Sequence, residues 1–177
     1  PISRRQRQMC IRDSNKNISL NTSKWILKEY ENVQAEYFKN IEKYQFHEIA
    51  SLIYHFAWHT FCDWYIEFIK SDFANDEKSE ETKKVSGWIF IQILKLLHPM
   101  MPFITEEIWQ SFKETFKAEE KSIMISELPT KYLGTSNLKN IESLRSVISG
   151  IRNIRSEMLI SPKKDITVES SNRILCL

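Results

Sequence analysis

Glycine is almost missing from this chain. Gly87, Gly134 and Gly150 are the only three in 177 residues. Hairpins, tight turns and phosphate-cradling loops draw on glycine wherever φ must be positive, so the shortage points away from a sheet protein and toward an all-helical one. No two of the three are close enough to build a Walker loop or a dinucleotide-binding fingerprint. Cysteine is also scarce: Cys10, Cys62 and Cys176 are odd in number and far apart. That excludes a disulfide framework and suits a reducing, cytoplasmic setting. No uninterrupted apolar run is long enough for a membrane span, because Gln92, Lys95, His98, Pro99 and Pro102 break the best candidate, Trp88 to Phe103. A global excess of positive charge is missing too. The formal net charge is +2, but residues 1–14 alone carry +3, leaving −1 for the remainder. Any nucleic-acid contact must therefore come from a local patch rather than from overall charge.

What is present is apolar and aromatic material, 42% and 12% of the residues, enough for one domain with a real core. Residues 1–14, PISRRQRQMCIRDS, show no helical or strand period. They read as a basic disordered arm or as non-native sequence, since RQRQMCIRDS resembles translated sequencing-adapter readthrough, and they are set aside from the fold. From residue 15 to 158 the pattern is that of a bundle of about five helices, and residues 159–177 read as the start of a truncated further module. No internal repeat is present.

A first helix is expected over Thr22–Tyr44, with Ile26, Tyr30, Val33, Tyr37, Ile41 and Tyr44 on one face at about 100° per residue. Trp25, Lys28, Lys39 and Lys43 fall on the other side. A second helix over Phe46–Lys70 carries the stripe Phe46, Ala50, Ile53, Ala57, Phe61, Trp64 and Phe68, widened by Tyr54, Trp58 and Tyr65, so it should meet more than one neighbour. Ser71–Glu80 reads as an acidic loop. A third helix over Ser79–Leu97, apolar nearly all round from Val85, has the character of a central rod, with Glu80 and Glu81 complementing its dipole.

The segment KLLHPMMPFITEEIW at Lys95–Trp109 then breaks the most apolar stretch with two prolines. Pro99 cannot donate its backbone hydrogen bond and forces His98 out of the α region, ending the third helix. Pro102 suits the first turn of a new helix. The result is a sharp corner, followed by a helix over Pro102–Phe116 that packs through Phe103, Ile104, Ile108, Trp109 and Phe112. Ser122–Ile125 is expected to be a short extended piece. A fifth helix over Asn137–Met158 should bury Leu138, Ile141, Leu144, Ile148, Ile151 and Met158. Asp165–Glu169 alternates like a strand with no partner in this chain.

Candidate chemistry is sparse. His55, His59 and Cys62 have tolerable metal-ligand spacing, but Phe56 stands where a zinc-protease helix would have glutamate, so polar residues at the edge of the core are the plainer reading. His98 is expected to satisfy the last carbonyls of its helix. Glu106 and Glu107 are sequence neighbours that face different ways, a dipole complement rather than an acid–base pair. No nucleophile has a base at credible spacing, so no catalytic residue, metal site or cofactor is assigned to this chain. The remaining candidate is an RNA surface. Arg145 and Arg152 project within about 20° of each other, Arg155 follows one turn on, and Lys163 and Lys164 extend the patch, with Trp25 and Lys28 on the first helix as further candidates. Such cations neutralise phosphates and exposed aromatics stack on unpaired bases, although solvated basic helix faces are common. The residues alone leave RNA binding and a helical protein-interaction module both open.

Five segments sharpen the choice. The double-proline corner at Lys95–Trp109 resembles the anticodon-binding domain of the class I aminoacyl-tRNA synthetases that activate aliphatic amino acids. FCDWYIE at Phe61–Glu67 and IRNIRSEM at Ile151–Met158 are similar to the bacterial valine-specific branch, as are TSKWILKEY at Thr22–Tyr30 and SIMISELP at Ser122–Pro129. An isoleucine-type enzyme shares the proline corner but usually lacks the FCDWY and RNIRxEM strings.

The resemblance implies a helical bundle that grips the anticodon stem and loop of valine tRNA, as a monomer and as part of a longer synthetase chain. ATP, with magnesium, and valine would bind to the remainder of that chain through HIGH-like and KMSKS-like motifs, and a separate domain would edit mischarged threonine. Neither motif occurs here, so this chain by itself is expected to be non-catalytic. The family's LWNAxRF-like segment, placed to read anticodon bases, does not precede Thr22, and its C-terminal coiled coil is also expected to be missing.

Overall fold

The computed structural model describes residues 18–74, 76–115, 120–127 and 139–161. They form two compact units, with the division between Leu138 and Lys139. In the first, α1 (Asn21–Glu42) is followed by α2 (Phe46–His55), a π-helical stretch (Phe56–Tyr65) and a short α3 (Ile66–Ile69). A 3₁₀ turn (Asp72–Ala74) leads into α4 (Asp76–Leu97), then α5 (Pro102–Phe112) and a second 3₁₀ turn (Ile123–Ile125). The second unit contains α6 (Lys139–Glu157). The architecture is all-α, and no strand occurs among the described residues.

α1 is the hub of the first unit and touches α2, the π-helical stretch and α4. Its residues Ile26, Tyr30, Val33 and Tyr37 are buried, as the periodicity predicts. Ile41 and Tyr44, expected on the same face, are exposed; the helix ends at Glu42, so Tyr44 lies beyond it. The Tyr30 ring sits between Trp88 (5.2 Å) and Phe56 (6.2 Å). Burial pushes its hydroxyl far above the usual tyrosine range, so it is a neutral packing group that accepts a long bond from Gln34 Nε2 (3.4 Å).

The second rod departs from regular winding. Its buried residues are Ile49, Ile53 and Phe56, then Phe61, Tyr65 and Ile69. The five-residue step from Phe56 to Phe61 matches a π turn, in which each bond closes one residue later than in an α-helix. A strict 100° count misses that step. Phe46 and Ala50, before the π turn, are outside the core because Ile49 and Ile53 hold the inner face there; beyond it Trp64 and Phe68 lie at the margin and Tyr65 within the core. Aromatic residues on nearly every side of this rod left the sequence without a clear phase.

The proline corner forms where expected, with α4 ending at Leu97 and Pro102 in the first turn of α5. Its fastenings differ from expectation. The His98 imidazole lies 2.8 Å from Thr105 Oγ1 rather than on helix-end carbonyls, and that hydroxyl also reaches Met101 O (2.8 Å). With its one proton on the carbonyl, Thr105 accepts from the His98 ring and ties the end of α4 to the start of α5. Glu106 lies beyond the first turn of α5 and is no dipole complement there. It accepts from Ser122 Oγ (2.9 Å) and Ile123 N (3.1 Å), fixing the second 3₁₀ turn against α5. Ser122–Ile125 is thus not extended: the Ser122 hydroxyl accepts from Met124 N and closes a 3₁₀ turn. Ile123 joins Ile91, Leu94 and Trp109 in a small core, with Phe90 and Ile108 beside it. Phe103 and Ile104, expected to pack, are 90% and 57% exposed.

Helix ends carry further information. α4 begins at Asp76, so Glu80 and Glu81 lie past its first turn. Glu81 serves another helix: its carboxylate accepts from Ser19 N (3.0 Å), Ser19 Oγ (2.8 Å) and Leu20 N (3.0 Å) at the start of α1, which has no side-chain cap of its own. At the other end of α1, Gln45 N donates to Asn40 O (2.9 Å) and Tyr44 N to Ile41 O (3.0 Å), with Tyr44 at φ 57°. This is a Schellman closure with tyrosine at the position that favours glycine. α6 ends the same way, with Ile160 N on Arg155 O (2.9 Å), Leu159 N on Ser156 O (3.2 Å) and Leu159 at φ 51°.

Candidate nucleic-acid interface

α6 displays the arginines singled out in the sequence. At 3.6 residues per turn, Arg145 and Arg152 lie within about 20° of each other around the axis, and Arg155 sits one turn beyond Arg152. Arg152 is exposed, while Arg145 and Arg155 are half-buried. Each of the three makes a polar or electrostatic interaction within the protein. Arginine keeps its charge at any working pH and presents a planar fork that matches phosphate oxygens in pairs. The C-terminal end of α6 is also where cations are favoured by the helix dipole. Met158, expected to be buried on this helix, is 68% exposed. Lys163 and Lys164 lie outside the described residues, as do residues 1–14 and the strand-like segment Asp165–Glu169.

The α1 candidates fare differently. Trp25 is 0% exposed and makes an edge contact with Phe68 at 5.8 Å between ring centroids, so it cannot stack on a base. The correction has a simple cause: Trp25, Ile26 and Leu27 are all fully buried, so the inner arc of this turn of α1 is wide enough to take in Trp25. Lys28 is half-buried and paired with Glu31 at 2.6 Å, and Lys39 pairs with Glu36 at 3.0 Å. These lysines balance charge on their own helix.

The histidine edge of the second rod is engaged by a carboxylate. His59 Nδ1 lies 3.1 Å from Asp63 Oδ2, and the His55 and His59 rings are 5.2 Å apart. Among the described residues, no group of three or more His, Cys, Asp or Glu side chains could hold a metal ion. Burial and the neighbouring Asp63 charge push the Cys62 thiol up, away from the reactive thiolate. Nor is any described helix long and apolar enough to cross a membrane.

With this geometry set out, similarity to known proteins decides the family. Residues 23–170 match the anticodon-binding domain of tRNA ligase. The chain belongs to that family. The anticodon-binding domain here is 43% identical over 151 residues to a valine–tRNA ligase of Syntrophotalea carbinolica, covering 81% of this chain and 16% of the relative. It is 39% identical over 151 residues to a valine–tRNA ligase of Geobacter sulfurreducens, covering 82% and 17%. It is 35% identical over 161 residues to a valine–tRNA ligase of Pelagibacter ubique, covering 88% and 18%. The chain thus spans less than a fifth of the length of the curated relatives it matches. Within the anticodon-binding domain, sequence reading missed the residues that hold helix ends and corners, namely Glu81, Thr105 and Tyr44. A carboxylate that caps a helix far away in sequence leaves no local signal. The absence of glycine after Lys43 hid the left-handed closure of α1.

Proposed function

We propose that this chain is the anticodon stem-loop-binding part of a valine–tRNA ligase, an enzyme that joins valine to valine tRNA at the expense of ATP. The observation that carries the reading is identity of 35–43% to proteins of that name over more than four-fifths of the chain. The chain has neither HIGH-like nor KMSKS-like strings and no glycine-rich phosphate loop, so its residues do not fit ATP and magnesium. Adenylate formation belongs to the remainder of the synthetase polypeptide, and this part contributes grip on the tRNA. Arg145, Arg152 and Arg155, with Lys163 and Lys164, neutralise phosphates, and Lys28 makes a smaller, already compensated contribution. The protein acts in the cytoplasm, and its anticodon-binding part is monomeric.

Titration of valine tRNA by fluorescence anisotropy at several salt concentrations tests the reading. Five phosphate-bound cations give a slope of about −3.5 to −4.5 in log K against log salt. Arg152→Glu with Arg155→Glu should flatten the slope and weaken binding at least tenfold. Salt-independent binding, or equal binding by the double variant, would overturn the assignment of this face.

A further inference from the structure

The surface around the proline corner is more apolar than its position in the bundle explains. Phe103 is 90% exposed, Met124 71%, Ile125 67% and Ile104 57%. Phe103, Met124 and Ile125 belong together because the polar fastenings direct the 3₁₀ turn to the Phe103 side of α5, whereas Ile104 projects about 100° further round the helix. Lys121 O accepts from Gln110 Nε2, and Ser122 and Ile123 donate to Glu106, one turn nearer the start of α5. Phe103 is one turn nearer still. Glu127 O, just past the 3₁₀ turn, accepts from Lys95 Nζ close to the corner (3.1 Å). The segment therefore runs along α5 toward Phe103 and brings Met124 and Ile125 to that end of the helix. The small core beneath holds them there: Ile123 and Trp109 are each 3% exposed.

We infer that this patch is the seat on which the anticodon-binding domain docks against an apolar face of the remaining ligase polypeptide. The inference rests on the reading above, that the chain is one part of a longer ligase. Four features favour this occupant. The relatives are more than five times longer than the matched segment, so most of the parent protein lies outside it. None of the three side chains is charged, and the nearby Lys95 ammonium is already bonded to Glu127 O, so the patch itself is suited to an apolar surface rather than a phosphate backbone. By residue size these three side chains expose on the order of 400 Å², within the range of the largest apolar patch on a monomer and below what each partner of a free-standing dimer usually buries. A partner on the same polypeptide is held at roughly millimolar effective concentration, so a patch of this size suffices for it.

A photo-crosslinking phenylalanine analogue placed at position Phe103 of the full-length ligase tests this directly. Irradiation followed by peptide mapping should show crosslinks within one polypeptide, to residues outside this 177-residue segment. Crosslinks to tRNA, crosslinks between two copies, or no crosslink at all would each overturn the docking surface. Stability provides a second measurement. Phe103→Ser with Met124→Ser should leave the melting temperature of this chain alone unchanged, because both side chains are already in water, and should lower that of the full-length ligase by several degrees. Equal shifts in both proteins would refute the inference. A native reading frame no longer than this chain would instead sink the ligase reading itself, and the docking surface with it.

Discussion

Replacing Glu81 with alanine removes a cap that α1 receives from α4, some sixty positions away in sequence. Three donors lose their acceptor: the backbone N–H groups of Ser19 and Leu20 and the Ser19 hydroxyl, all within 3.0 Å of the carboxylate. The start of α1 has no substitute, since Leu20 has no side chain able to cap. Loss of a helix cap costs about 1–2 kcal/mol, and because the carboxylate is half-exposed, solvent screening favours the lower part of that range. For a chain of this size the lower part of that range corresponds to a fall in melting temperature of about 2–4 °C. Glu81→Gln should fall between, because it keeps an acceptor and loses the charge that complements the N-terminus of α1. Acid provides the discriminating measurement. Partial burial acts to raise the Glu81 pKa, but the bonds from Ser19 and Leu20 outweigh it and hold the carboxyl below the usual range. Between the folded and unfolded pKa values the unfolded chain binds more protons, so this contribution is complete above about pH 4.3 and fades as pH falls through the folded value. Circular dichroism melts of wild type and Glu81→Ala between pH 7 and pH 3 should therefore converge on acidification. Equal melting temperatures at pH 7, or a gap that widens in acid, would refute the capping argument.

Tyr44→Gly should stabilise the chain by about 1 kcal/mol in a urea titration, because the left-handed backbone at φ 57° suits glycine. A loss of stability would mean that the Tyr44–Phe46 ring contact outweighs the backbone term. Pro102→Ala, at the first turn of α5, should lower stability by about 0.5–1 kcal/mol through a looser unfolded chain and leave tRNA affinity unchanged. Unchanged melting with lost tRNA binding would overturn the architectural role of the corner. Glu106→Gln should flatten the acid limb of the stability profile in the same direction as Glu81→Gln. Burial acts to raise this carboxyl, but bonds from Gln110, Ser122 and Ile123 hold it low; an unaltered profile would show that these bonds are not maintained in solution.

The helices and the corner were legible because they depend on local rules. Scarce glycine, apolar spacing on α1 and α4, and two prolines three residues apart each act within a turn or two of themselves. Phase was legible only where one face of a helix is polar. Trp25 and the second rod defeated it, since the buried arc at each is wider than one stripe and only the neighbours decide how far it extends. The exposed Phe103, Ile104 and Met158 show the opposite failure. Apolar periodicity records every surface a residue was selected to meet, including any that this chain does not contain. On α6 the helix itself was legible, and within any helix a seven-residue interval such as Arg145 to Arg152 nearly completes two turns whatever lies nearby.

The widened turn between Phe56 and Phe61 leaves the second rod holding one spare residue. A chain shorter by one position in that interval could wind at ordinary pitch and still deliver Tyr65 and Ile69 to the interior, since the inward sequence would then step by three and four throughout. The same loss within α1 or α4 would swing every later side chain by roughly 100° and strip those helices of their inner faces. Length in this bundle is therefore rigidly specified in two rods and negotiable in the third.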